Sequence, residues 1–335
     1  MVNCAKLLRG LCLLAAACLP AATTTVCAAE GAAAAAADQP PRFEVPAPAG
    51  RPLTFVAYGD TRFTQRSGDV ANPYARRALV EKMAAENPAA ILIGGDLVYE
   101  GANPGDYQVY HSETAPWTER RIPVFAALGN HEFKGCAQDD ALPCLENWWA
   151  AFPALSLKPY RWYSVSIGTG ILALILDSDS HLLPGSEQRR WLEQQITAAD
   201  AHVKFILIVL HYPPVRDPFY PRVLDEKEVA VYLSRAARSL HAQVVVIGSH
   251  VHNYERYLRD GVTYLVSGGG GAKPVPAARM FGELSKLRTS VNYHYLRFVL
   301  DGDRLSGTMV RFDAALDRSQ DPWSEPDRFE VHARP

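Results

Sequence analysis

Five apolar runs in this 335-residue chain each end on a side chain that can hold a metal ion. Tyr58-Gly59-Asp60 closes the first and Gly94-Gly95-Asp96 the second. Gly129-Asn130-His131-Glu132 closes the third, Leu210-His211 the fourth and Gly248-Ser249-His250-Val251-His252 the fifth. Carboxylate and amide oxygens with imidazole nitrogens suit zinc, manganese or iron better than soft-ligand metals. The six groups Asp60, Asp96, Asn130, His211, His250 and His252 exceed what one tetrahedral zinc site takes. They suffice for two ions about 3.5–4 Å apart that share a carboxylate bridge. Such ions neutralise anionic oxygens and acidify a bound water, to a pKa of about 7 for zinc. Singly, each hit is weak. A lone Gly-Asp is usually a turn, a lone His-x-His a surface or core pair, and His211 before Tyr212-Pro213-Pro214 could merely cap a strand. The conjunction of five strand-end hits is what carries the reading.

Residues so far apart in sequence need a scaffold that gathers strand ends. In open α/β sheets, ligands collect at the carboxyl ends of the strands. Glycines beside Asp60, Asp96 and Asn130 allow sharp turns and close approach there. Leu53 to Tyr58, Ala90 to Ile93, Val124 to Leu128, Gly170 to Leu176, Phe205 to Leu210 and Val244 to Ile247 read as strands. Their continuous apolar character marks a sheet buried on both faces, hence an α/β fold. Helices are expected around Tyr74 to Glu86 and Glu187 to Ala199. The stretch Tyr293 to Phe312 alternates as a hairpin turning at Asp301-Gly302-Asp303. Gly268 to Gly271 lacks phosphate-loop spacing and reads as a tight turn after the strand Thr263 to Val266.

Composition sets the setting. A formal net charge of −2 lacks the basic face that nucleic-acid binding needs, so no nucleic-acid partner is expected. Lys6 and Arg9, the uncharged run Leu11 to Leu19 and the small-residue segment Val26-Cys27-Ala28 read as a secretory leader over residues 1–28. That run is shorter than the roughly 20 residues a bilayer requires, so no stable membrane insertion is expected once the leader is removed. Ala15-Ala16-Ala17-Cys18 loosely resembles a lipobox, which leaves lipid anchoring as the alternative to a periplasmic or secreted protein. Removal through Ala28 takes away two cations and no acid, shifting the net charge from −2 to −4. Residues 29–50, rich in Ala and Pro, read as a linker, with ordered structure beginning near Leu53. Residues 51–315 form the expected catalytic domain, and the polar residues 316–335 a loosely held tail. Of six cysteines, only Cys136 and Cys144 lie beyond the leader; in an oxidising compartment they are expected to form a disulfide closing a surface loop.

The order Gly59-Asp60, Gly95-Asp96, Gly129-Asn130-His131-Glu132, His211 and His250-Val251-His252 resembles the calcineurin-like metallophosphoesterase superfamily over roughly Leu53 to Phe312. Within it the chain is most similar to purple acid phosphatases, through Tyr99 three residues after Asp96, Arg161-Trp162-Tyr163-Ser164 and His252-Asn253-Tyr254-Glu255-Arg256. The resemblance implies a two-sheet β-sandwich flanked by helices, in four α-β-β-α layers, with the metals at one edge. It implies that Asp60, Tyr99 and His252 hold the first ion, that Asp96 bridges, and that Asn130, His211 and His250 complete the second. The implied ions are Fe3+ with Fe2+, Zn2+ or Mn2+. The substrate would be a small phosphorylated molecule, cleaved as a phosphomonoester, with Asp96 and His131 as catalytic groups and His131 contacting substrate or leaving group.

The chain departs from that pattern. Where most of the superfamily has Asp-x-His and purple acid phosphatases have Asp-x-Gly, this sequence has Asp60-Thr61-Arg62. Absence of the histidine favours Tyr99 as the missing ligand, while Arg62 is either a bidentate donor to substrate phosphate or a surface arginine. Ser249 replaces the usual glycine before His250-Val251-His252. Two rivals share the residues: a phosphodiesterase on the same site, and an exported protein that binds metal or phosphate without turnover.

Overall fold

The computed structural model describes residues 39–49, 52–199, 201–217, 223–275, 293–317 and 319–335. The leader and the linker up to residue 38 lie outside them. Two mixed sheets stack face to face. One contains the parallel strands β2 (Leu53–Tyr58), β3 (Ile91–Ile93) and β4 (Val124–Ala126), extended on the β2 side by the antiparallel hairpin β11 (Tyr293–Asp301) and β12 (Arg304–Phe312) and by β13 (Trp323–His332). The other runs in the order β1 (Arg42–Val45), β5 (Tyr163–Ile167), β6 (Ile171–Ile175), β7 (Phe205–Val209), β8 (Gln243–Gly248), β10 (Val262–Ser267) and β9 (Tyr254–Arg259).

Period-two alternation explains why the inner strands are apolar throughout. On β6, Ile171, Ala173 and Ile175 join the core between the sheets with Phe55 and Phe298. Leu172 and Leu174 face the other way, onto α5 (Glu187–Thr197) and α6 (Leu224–Ala236) through Trp191, Leu192, Val229 and Leu233. Each such side chain contributes roughly 1.5–3 kcal/mol by leaving water. The sheet bearing β2 is covered by α1 (Pro73–Glu86), α2 (Pro104–Glu113), α3 (Ala115–Glu119) and α4 (Leu142–Ala151), which share the core cluster through Leu79, Tyr110, Trp117 and Trp148. The layers are α-β-β-α, as the resemblance implies.

Two boundaries differ from the sequence reading. Among the described residues the first strand is β1, inside the Pro-rich linker, where Phe43 and Val45 alternate inward and the Phe43 ring meets Phe125 at 5.8 Å and Tyr163 at 5.6 Å. Within the tail expected over 316–335 lies the edge strand β13, paired antiparallel along β12. Exposed Arg328, Glu330 and His332 alternate with Phe329 and Val331, which pack on the core, so one polar face hid a strand. Asp327 then accepts from Tyr254 at 2.7 Å and Arg256 at 2.8 and 3.0 Å, joining the open edges of the two sheets. Cys136 and Cys144 are disulfide-bonded, closing the loop between the third motif and α4 as expected. Among the described residues no helix is long and apolar enough to cross a membrane.

Candidate metal centre

The metal-type side chains stand two to four residues beyond the ends of β2, β3, β4, β7 and β8. Parallel β2, β3 and β4 deliver Asp60, Asp96 and Asn130 from one sheet, and parallel β7 and β8 deliver His211, His250 and His252 from the other. Asp60, Asp96 and His211 are buried, with one ligand atom from each within 4.8 Å of the others. Nε2 of His211 is 3.3 Å from Asp96 Oδ1, 3.0 Å from Asn130 Oδ1 and 3.2 Å from His250 Nδ1. These spacings match the roughly 3.3 Å edge of a tetrahedron with metal–ligand bonds of about 2.0–2.1 Å.

The tautomers suit ligation. Nδ1 of His211 donates to the Gly94 carbonyl at 3.0 Å and Nδ1 of His252 to the Lys273 carbonyl at 2.9 Å. Each Nε2 therefore keeps its lone pair for the pocket. Burial first, then the neighbouring His211, lowers the His250 pKa to about 3; burial first, then Arg62, lowers that of His252 to about 4. Burial raises the Asp96 carboxyl, but His211, His131 and Arg62 outweigh it and bring it down to about 2. Asp60 is raised by burial and then by the Asp96 charge, and neither of its buried oxygens meets a donor in good geometry. A buried carboxylate left so calls for a cation. The donor set fits metal.

The backbone is strained at three of these residues and at Arg62. Of eight non-glycine residues with positive φ among those described, Asp60, Arg62, Asp96 and His250 are four, at 55°, 47°, 52° and 64°. Each costs on the order of 1–3 kcal/mol, so the surroundings must over-determine it. Glu132 contributes to that. Its carboxylate accepts from the N–H groups of Asp96, Leu97, Val98 and Gly129 at 2.7–3.3 Å, tying the ends of β3 and β4 together. Gly129 is required for close approach, since a Cβ there would lie 2.5 Å from Asp96 Oδ1.

His131 is buried at the mouth of this group. Its Nδ1 donates to the Tyr99 carbonyl at 2.6 Å and its Nε2 stands 3.7 Å from Asp96 Oδ2. Tyr99 is placed differently from the other expected ligands. Its half-buried ring lies under Lys134, whose Nζ is 3.4 Å from the ring centroid, and 4.9 Å from the Arg66 guanidinium. The hydrogen bond from Lys134 is the largest cause that lowers its phenol pKa from the ordinary value. Arg62 is no surface residue. Its Nη2 lies 3.2 Å from His252 Nε2 and 3.6 Å from Asp96 Oδ2. Ser249 donates to the Ser267 carbonyl at 3.2 Å and is fully buried, so the departure from glycine is accommodated inside the sandwich.

A family model described as calcineurin-like phosphoesterase matches residues 53–254, more than half of the chain. The chain belongs to the calcineurin-like phosphoesterase family. Among curated proteins it is similar to "Probable purple acid phosphatase 20" of Arabidopsis thaliana, at 23% identity over 217 residues, covering 61% of this chain and 50% of that protein. It thus spans about half the length of that relative. Among solved structures it is similar to the purple acid phosphatase PPD1 from yellow lupin (Lupinus luteus) seeds, with a TM-score of 0.66 at 16% identity over 85% of this chain and 54% of that one. It is also similar to GAP50, the anchor in the inner membrane complex of Plasmodium, with a TM-score of 0.61 at 14% identity over 85% and 90%. A fold shared by a phosphatase and an anchor does not itself fix activity. The residues must.

Sequence reasoning missed the parts that hold ligands in place. Glu132 was visible in the third motif without a role, and the carbonyls of Gly94 and Lys273 carry no side-chain signal. Gly268 to Gly271 is more than a turn: Gly270 N donates to Gly59 O and Ala272 N to Asp60 O, both at 2.9 Å, laying the segment flat on the first motif. A Cβ on Gly268 would come within 2.4 Å of Val251 O and 2.5 Å of Asp60 Oδ2. Gly268→Ala is therefore expected to displace Asp60 and weaken metal affinity about 10–100-fold, the range for lost ligand support, read by competition with a metallochromic chelator. Unchanged affinity would mean that Asp60 lies outside the working centre.

Proposed function

We propose that this protein is an exported, metal-dependent phosphomonoester hydrolase of the acid phosphatase type. The observation that carries the reading is the convergence of Asp96, Asn130, His211 and His250 at ligand spacing, with the buried His131 beside them. Zinc, manganese or iron suits these donors. Bound metal would supply charge to the phosphoryl oxygens and acidity to an attacking water. The chain supplies the rest. Glu132 fixes the loops that present Asp96 and Asn130. His131, held through Nδ1, keeps Nε2 free to hold the phosphate or pass a proton to the leaving oxygen. Lys134 and Arg66 around Tyr99 place positive charge near His131, where an anionic substrate would enter. The disulfide supports export, since such bonds persist in oxidising compartments.

If the centre held two ions, Fe3+ with Fe2+, Zn2+ or Mn2+ as the resemblance implies, the second would draw on Asp60, Tyr99 and His252. Lys134 first and then Arg66, both beside its ring, lower the Tyr99 phenol pKa from the ordinary value. A broad visible absorption lost in Tyr99→Phe would support tyrosinate ligation; a colourless iron-loaded protein would exclude it. Preference between ester classes is tested by comparing nitrophenyl phosphate with its bis-ester across pH. Faster monoester cleavage with an acidic optimum is expected, and bis-ester preference would instead make the protein a phosphodiesterase.

A further inference from the structure

The donors divide the pocket into two halves. In one, the Nε2 atom of His211 gathers Asp96 Oδ1, Asn130 Oδ1 and His250 Nδ1 around it. In the other stand Asp60, His252 and the second oxygen of Asp96, and the chain has placed a cation of its own among them. We propose that the Arg62 guanidinium takes the place of one metal ion, so that the centre works with a single ion in the His211 half. This rests on the reading of the pocket as a phosphoesterase metal centre.

The geometry around Arg62 is that of a resident cation. Its Nη2 is 3.2 Å from His252 Nε2 and 3.6 Å from Asp96 Oδ2, while Asp60 Oδ1 is 3.6 Å from the same His252 nitrogen. Because His252 Nδ1–H is committed to the Lys273 carbonyl, the Nε2 facing Arg62 carries a lone pair and accepts from the guanidinium. A metal ion on His252 would need that lone pair, and two cations cannot share it. Asp60 has no side-chain hydrogen-bond donor, and the Arg62 guanidinium is the positive charge that acts on it.

The backbone aims Arg62 there. Its φ of 47° is strained, yet it is held from both sides. Arg62 N donates to Asp96 O at 3.0 Å, and Arg62 O accepts from Arg76 Nη1 at 2.7 Å. Arg76 is itself fully buried and fixed by Glu113 at 2.7 and 2.8 Å. Strain maintained in this way at a pocket is a sign of use. One donor remains: Arg62 Nε is buried and without an acceptor, which a phosphoryl oxygen would satisfy. A guanidinium and one divalent ion together exceed the Asp60 and Asp96 carboxylates by a single positive charge, which suits an anionic ester. The ligand class is thus one divalent ion and one phosphoryl group bridging it to Arg62.

Metal content tests this without relying on turnover. The full exported chain is loaded with excess Zn2+ or Mn2+, desalted, and its metal measured by mass spectrometry, alongside Arg62→His, which exchanges the charge for a ligand. One ion per chain is expected in the unaltered protein and two in Arg62→His. Two ions per chain in the unaltered protein would overturn the proposal, and so would a folded Arg62→His that still holds one. The unaltered protein decides alone should the variant fail to fold. Nitrophenyl phosphate hydrolysis on the same samples separates the two claims. Turnover with two ions removes only the role given to Arg62, whereas one ion without turnover removes the hydrolase reading and leaves the stoichiometry standing.

Discussion

Asp96→Asn is expected to empty the centre of metal and to lower phosphomonoester turnover by at least about 10³-fold, while the protein stays folded. Asp96 reaches several sides of the pocket. Its Oδ1 is 3.3 Å from His211 Nε2 and accepts the His131 N–H at 2.9 Å; its Oδ2 faces His131 Nε2 at 3.7 Å and Arg62 at 3.6 Å. Replacing one oxygen by an amide removes the negative charge that offsets any bound cation, yet keeps the shape of the side chain. Folding is spared because the local backbone is held by Glu132, not by the Asp96 carboxylate alone. Metal per chain, thermal melting and initial rates on one preparation check all three parts. A variant that kept both metal and turnover would remove Asp96 from the centre.

His131→Ala is expected to do the opposite with metal and the same with rate. The imidazole stands beside the ligands without joining their convergence on His211, so metal should be retained. Its Nε2 is the group positioned to meet the phosphate or the leaving oxygen, and loss of general acid catalysis costs roughly 10²–10⁴-fold. Metal content together with kcat on a nitrophenyl ester checks this. Loss of metal in this variant would show that His131 is itself a ligand.

What the sequence made legible was whatever a strand end announces. Asp60, Asp96, Asn130, His211 and the His250-Val251-His252 pair each follow an apolar run, and all of them meet in one pocket. The inner strands were readable because burial on both faces leaves no polar position, as in Ile171–Ile175. Less was readable at the margins. β13 alternates charged and apolar residues at a sheet edge, so its polar face resembled a loose tail. β1 sits among prolines and depends on Phe43 meeting Phe125 and Tyr163, contacts far away in sequence. The role of Arg62 was least legible of all. A reading of residue types finds ligands but not the backbone angle that turns a cationic side chain inward, nor the buried Arg76 that holds this angle.

Removing and restoring the metal tests the hydrolase reading most directly. Protein stripped with a chelator, shown by mass spectrometry to be metal-free and by circular dichroism to be folded, is assayed on nitrophenyl phosphate before and after adding Zn2+, Mn2+ or iron. The expected result is activity that disappears with the metal and returns in proportion to it. Full turnover in the stripped protein, or no turnover in protein whose pocket has been refilled, would contradict it.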